Sequence, residues 1–159
     1  MSQKTSELKP LIDCQEHLPA LAELWYEEIS RQWVPGASVE RAKRQLVEHL
    51  NHDKLPLGYV ALQDKQPVGM AFLRENDGVR PDLTPWLGSL IVHPHYRRQK
   101  LGETLIEQVK AEARDWGYEV LYLLAFDPTI PQWYASLGWQ AIGEDRLFGH
   151  RIALMKINL

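Results

Sequence analysis

Cysteine is nearly missing from this sequence: Cys14 stands alone among 159 residues. A single thiol cannot close an internal disulfide, so a disulfide framework is excluded and a reducing compartment, the cytoplasm, is expected. Cys14 itself reads as a small buried hydrophobe. Long apolar runs are missing as well. The longest, residues 120–126, falls far short of the roughly 20 residues that a membrane-spanning helix needs. Residues 1–9 are polar and carry no apolar stretch of the kind that marks a secretion signal. Excess positive charge is also lacking. The 18 Lys and Arg stand against 21 Asp and Glu, for a net charge of −3, so nucleic acid is not an expected partner. Neither G-x-x-x-x-G-K-S/T nor G-x-G-x-x-G occurs, which removes the familiar nucleotide phosphate loops. His93 and His95 form an H-x-H pair, but no further cluster completes a ligand set, and no metal is expected. There is no linker or low-complexity tract, so residues 1–159 read as one domain.

What is present is periodicity. Leu18, Leu21, Ala22, Trp25 and Ile29 recur at helical spacing, and Pro35-Gly36 ends that helix. Ser38 is suited to cap a second helix with Ala42, Leu46, Val47 and Leu50 on its apolar face. Residues 57–63 and 68–74 read as a hairpin, and Asn76-Asp77-Gly78 opens a loop that runs to Pro85. Residues 86–92 form another apolar strand. From 101 to 116, Leu101, Leu105, Val109 and Ala113 recur in steps of four, and Gly117 stops the helix. Residues 120–126 are almost continuously apolar, as in a strand covered on both faces. Strand, helix and buried strand predict a right-handed βαβ unit with two parallel strands. A short helix near 131–137 and a terminal hairpin close the chain. The expected fold class is α/β (α+β mixed sheet), mostly antiparallel with one parallel pair, strands 4 and 5, and helices on both faces.

The informative segment lies between the strand ending at Val92 and the helix starting at Leu101. Pro94 bars continued central pairing, and Arg97, Arg98 and Lys100 crowd the turn. Cations in the first turn of a helix oppose its dipole, which makes them hard to explain unless an anion binds there. Free N–H groups at a helix start are a ready anion site, Gly102 allows close approach, and Thr104 can add a hydroxyl.

This segment, Val92-x-Pro94-x-x-Arg97 followed by Gly102, resembles the V-x-P-x-x-R-x-x-G-x-G/A cofactor motif of the GNAT superfamily of acyl-CoA-dependent N-acetyltransferases. It departs at Lys100, where the family usually has glycine and where a residue with φ > 0 would be strained. A second segment, Trp133-Tyr134-Ala135-Ser136-Leu137-Gly138-Trp139, resembles the family's F/W-Y-x-x-x-G-F/W landmark. The resemblance implies a GNAT-like fold and acetyl-CoA (coenzyme A) as cofactor. It implies cofactor contacts from Leu90, Ile91, Val92, Arg97, Arg98, Gln99, Lys100, Leu101, Gly102, Glu103 and Thr104, with Asp127 standing where the family often has asparagine. Tyr134 is then the acid that protonates the departing thiolate, and a backbone N–H near Leu90 polarises the thioester. The implied reaction is direct transfer of an acetyl group to a primary amine, with no covalent enzyme intermediate. The alternatives are a protein or peptide amine as acceptor, or a non-catalytic acyl-CoA sensor.

The acceptor side is expected from the loops around residues 33–38, 77–86 and 143–150. Trp86 and Phe148 are candidates to wall a pocket and Asp82 and Glu144 to recognise a cation, with Trp33 and Glu75 as further substrate contacts. The strand before Val92 carries no glutamate, so a base is sought among Glu28, Glu75, Asp77 and Asp82. The expected acceptor is a small-molecule amine, and the expected state a monomer or homodimer, without nucleic acid or membrane.

Overall fold

Strand β3 (Gln66–Arg74) sends Met70 and Phe72 to one face and Ala71 and Leu73 to the other, all fully buried. That alternation divides the core into two layers. The computed structural model describes residues 6–159. Around β3 lie β1 (Ser6–Pro10), β2 (Leu57–Gln63), β4 (Trp86–Val92), β5 (Val120–Ala125), β6 (Gln140–Leu147) and β7 (His150–Asn158). Together they form one seven-stranded sheet in the order β1-β2-β3-β4-β5-β7-β6. Every neighbouring pair is antiparallel except β4 and β5, which are parallel as expected.

Helices α1 (Leu18–Trp25) and α2 (Val39–Glu48) cover the Met70 and Phe72 face. Ser38 caps α2, its hydroxyl accepting from the Arg41 N–H at 3.0 Å. Helix α3 (Leu101–Asp115) covers the opposite face with Leu101, Leu105, Ile106, Val109 and Ala113. Burying a side chain of the Leu, Ile or Val type stabilises by roughly 1.5–3 kcal/mol, so these positions anchor the crossover firmly. Helix α4 (Ile130–Ser136) adds Tyr134 to the same layer.

Three features depart from the periodicity. The helix expected over 18–33 is interrupted by a π-helical turn, Tyr26–Ser30, before a last short helical piece, Arg31–Trp33. Val47, expected on the buried face of α2, is 53% exposed; neighbouring residues point about 100° apart around a helix, and α2 buries only the narrow stripe through Ala42 and Leu46. Strand β1 was not expected at all. Its sequence SELKP is polar, and it is held by backbone pairing to the edge of β2 rather than by an apolar face. Cys14 is buried, and burial pushes its thiol up from the ordinary range. No helix among the described residues is long and apolar enough to cross a membrane.

Candidate active site

Strands β4 and β5 meet only at their start. Trp86 faces Tyr122, and the Tyr122 N–H donates to the Pro85 carbonyl at 3.0 Å; beyond that the strands part. Their separated ends line a cavity of about 1290 Å³ with Leu87, Ser89, Leu90, Ile91 and Val92 on one side and Leu123, Leu124, Ala125, Phe126 and Asp127 on the other.

Beside the gap, β4 is kinked. Phe72 pairs with Gly88 and Met70 with Ile91, so Ser89 and Leu90 together oppose the single residue Ala71. Ser89 takes φ +47°, a left-handed conformation that serine rarely adopts. A bulge of this kind takes backbone groups out of the ladder beside the gap.

At one end of the cavity lies the basic turn. Arg98 and Lys100 have φ +65° and +62°, so Lys100 does occupy the left-handed conformation that glycine would adopt more easily. Lys100 is the N-cap of α3 and gives no side-chain cap to the helix. The first-turn N–H groups of α3 therefore remain available to an anion. Arg97 is tied down: its Nη2 lies 2.8 Å from Glu28 Oε2, and its Nε donates to the Val92 carbonyl at 3.3 Å. Arg98 and Lys100 make no ion pair among the described residues. Leu90, Ile91, Val92, Arg97, Arg98, Lys100, Leu101, Gly102, Glu103 and Asp127 all line the cavity.

Two residues expected at this site are turned elsewhere. Thr104 uses its hydroxyl to donate to the Lys100 carbonyl at 2.8 Å, closing the first turn of its own helix. Gln99 accepts from the buried Gln63 amide at 2.9 Å, which pins the turn to the end of β2. Asp127 lines the cavity while its Oδ1 accepts from the N–H and hydroxyl of Thr129, at 2.9 and 2.8 Å. Those bonds hold its carboxyl below the usual range.

Tyr134 lines the cavity, 6% exposed, with the rings of Trp133 and Trp139 packed edge to face at 4.9 and 5.6 Å. Burial pushes its hydroxyl well above the ordinary tyrosine range, so it holds its proton at neutral pH.

At the other end, Trp33, Glu75 and Phe148 line the cavity as expected, whereas Trp86 and Asp82 do not. Trp86 is fully buried beneath Val79, Ile152 and Leu154, and its Nε1 donates to the Leu83 carbonyl at 2.8 Å; it is a core residue. Asp82 is exposed and chelated by Arg80 at 2.8 and 2.9 Å. Sequence reasoning missed Phe126, His49 and Arg74, all of which line this end. Arg74 ending an otherwise apolar strand was the available signal; its partners lie too far off in sequence to be found from it. His93 and His95 stack on each other, with His93 Nδ1 accepting from the His95 N–H at 3.1 Å. No group of three or more His, Cys, Asp or Glu side chains gathers among the described residues.

Comparison with known proteins agrees with this architecture. No curated protein matches the sequence. Among solved structures, an acetyltransferase from Streptococcus agalactiae is 21% identical with a TM-score of 0.75, covering 97% of this chain and 98% of that one. An acetyltransferase from Thermus thermophilus is 18% identical with a TM-score of 0.73, over 98% and 97% of the two chains. A Salmonella typhimurium protein described with its cofactor acetyl-CoA is 17% identical with a TM-score of 0.72, over 99% and 94%. The sequence profile of the acetyltransferase (GNAT) family matches residues 20–139, and the chain belongs to that family.

Proposed function

We propose that this acetyltransferase moves an acetyl group from acetyl-CoA directly to a primary amine of a small molecule. The observation that carries the reading is the continuity of the cavity: a basic helix start at one end, a parted strand pair and a buried tyrosine in the middle, and carboxylates with aromatic rings at the other. The residues fit the donor. Arg98, Lys100 and the first turn of α3 offer cationic and N–H groups to a pyrophosphate. The parted ends of β4 and β5 leave unpaired backbone groups for an extended, amide-bearing arm.

Catalysis rests on placement and charge. Holding amine and thioester together removes much of the entropic barrier. The bulge at Ser89 and Leu90 supplies backbone polarity for the developing oxyanion. Tyr134 gives its proton to the departing sulfur. Burial makes the tyrosine a weaker acid, but the same surroundings raise the proton affinity of a thiolate beside it, so the transfer stays feasible.

The reading is tested by following thiol release from acetyl-CoA with a panel of small amines, alongside the melting temperature with and without acetyl-CoA. Stabilisation together with amine-dependent thiol release is expected. A melting temperature that acetyl-CoA leaves unmoved would refute it.

A further inference from the structure

The acceptor end of the cavity is organised around one guanidinium. Arg74 closes β3 with its side chain 16% exposed. Its Nε donates to His49 Nε2 at 2.9 Å, its Nη1 to Asp77 Oδ1 at 2.7 Å and its Nη2 to Ser89 Oγ at 3.2 Å. The rings of Phe72 and Trp25 lie 5.0 and 5.6 Å from its central carbon. Gly88 makes this possible, because a Cβ there would stand 2.6 Å from Arg74 Nη1.

These bonds assign roles by elimination. His49 Nδ1 lies 2.7 Å from the Gln45 carbonyl, so the proton sits on Nδ1 and the Nε2 lone pair is used by Arg74. Burial and the Arg74 charge hold His49 neutral, its pKa lowered to about 4. It has no free lone pair with which to act as a base. Arg74 keeps one unused N–H on each Nη, but its charge is already paired with Asp77 at 2.7 Å, so it offers no unpaired cation to a carboxylate beside that acid. Asp77 differs. Its side chain is 13% exposed, Oδ1 is held by Arg74, and Oδ2 has no partner among the described residues. Asp77 lines the cavity, and the same guanidinium ties it to Ser89, the first residue of the bulge.

The wall beside it is aromatic. Trp33 stacks on Phe126 at 5.5 Å and Phe126 on Phe148 at 6.4 Å, both pairs within 13° of parallel. Leu147, the residue before Phe148, lies against the Asp77 loop: a Cβ at Gly78 would stand 3.5 Å from its Cδ1. Such rings offer flat apolar faces, and the single polar group among the three is the Trp33 indole N–H.

We infer that the acceptor is a primary amine on a flat, apolar body without a carboxylate, its ammonium docked on Asp77 and its body laid against Trp33, Phe126 and Phe148, with Asp77 as the base. This rests on the acetyltransferase reading above. The ammonium gives one proton to Asp77. The freed lone pair forms the C–N bond, the C–S bond breaks, and its electron pair leaves on sulfur, which takes the Tyr134 proton. The nitrogen sheds a second proton, which restores Tyr134 through water, and Asp77 releases its proton to solvent. The balance is amide, thiol and one proton.

The test compares 2-phenylethylamine, phenylalanine and 1,4-diaminobutane as acceptors, with calorimetric binding of 2-phenylethylamine as a readout independent of turnover. For 2-phenylethylamine, kcat/KM is expected to be at least about tenfold above the other two, as the difference of a misplaced charge in a partly desolvated site requires. Asp77→Asn is expected to lower kcat/KM by roughly 10²- to 10⁴-fold, the usual range for a general base, and to abolish calorimetric binding of the amine, with KM for acetyl-CoA unchanged. Phe148→Ala, at an exposed ring, is expected to raise KM for 2-phenylethylamine several-fold and leave KM for acetyl-CoA alone. If Asp77→Asn does not fold, an unchanged amine KM in Phe148→Ala overturns the seat. Preference for either rival amine, turnover of none, or wild-type rates in Asp77→Asn also overturns it. Stabilisation by acetyl-CoA with the wrong amine order refutes the seat alone; no stabilisation refutes the acetyltransferase reading, and the seat with it.

Discussion

Gly102 lies against Trp133: a Cβ at position 102 would stand 3.3 Å from Trp133 Cη2 and 3.6 Å from its Cζ2. The missing side chain therefore makes room for an indole from α4 as well as for a ligand at the start of α3. Trp133 is 36% exposed and lines the cavity, so it can yield by a few tenths of an ångström. Gly102→Ala is expected to fold normally and to bind acetyl-CoA a few-fold more weakly. Gly102→Glu places a carboxylate at the anion-binding turn and is expected to abolish binding. Calorimetric titration with acetyl-CoA separates the two; equal affinity in Gly102→Glu and wild type would move the pyrophosphate away from this turn.

Lys100 combines two effects that substitution can separate. Its φ of +62° is a conformation that costs a residue with a Cβ roughly 1–2 kcal/mol. Its ammonium adds charge at the turn. Lys100→Gly removes both strain and charge, whereas Lys100→Ala removes the charge and keeps the strain. Both are expected to weaken acetyl-CoA binding to a similar extent, with a shallower dependence on salt than the wild type. In denaturant unfolding, Lys100→Gly is expected to be about 1 kcal/mol more stable than Lys100→Ala. If only Lys100→Ala loses affinity, the lysine's role is to shape the turn rather than to attract the anion.

Tyr134 can be tested without disturbing the core, because phenylalanine keeps its ring between Trp133 and Trp139. Tyr134→Phe is expected to lower kcat by about 100-fold, within the range for loss of a general acid, and to leave acetyl-CoA affinity unchanged. Equal loss of affinity and rate would make the hydroxyl a binding group instead.

The sequence was most legible where one element carried its own signal. The stepwise Leu101, Leu105, Val109 and Ala113 pattern, the apolar run of β5 and the turn chemistry of 92–102 each stand within a short window, and each is found where expected. What escaped was anything built from distant pieces. Strand β1 exists because the edge of β2 offers backbone groups, which its own polar residues do not announce. Trp86 looked like a pocket wall because aromatic residues near loops often are; only the packing of Val79, Ile152 and Leu154 around it reveals a core position. His49, Arg74, Asp77 and Ser89 come from α2's end, β3, a loop and a bulge. No single window shows that one guanidinium joins them.

His49 makes that network sensitive to acid. It is 5% exposed, and burial, followed by the Arg74 charge, lowers its pKa to about 4 from the ordinary 6.5, against a smaller opposing pull from the Gln45 carbonyl. The unfolded chain therefore binds a proton at a higher pH than the folded one. Between pH 6.5 and 4 the unfolded state carries more protons at this site, so stability rises with pH across that window. The contribution is fully present above about pH 6.5 and is lost as the pH falls toward 4, amounting to about 3 kcal/mol. His49→Gln can still accept from Arg74 but does not titrate. Urea unfolding at intervals from pH 5 to 7 is expected to give a clear slope for the wild type and a flatter one for His49→Gln, the difference between the two isolating the histidine from other groups. Parallel slopes would mean that His49 takes up a proton as readily in the folded protein as in the unfolded chain, and the Arg74 Nε bond to its Nε2 would then have to be abandoned.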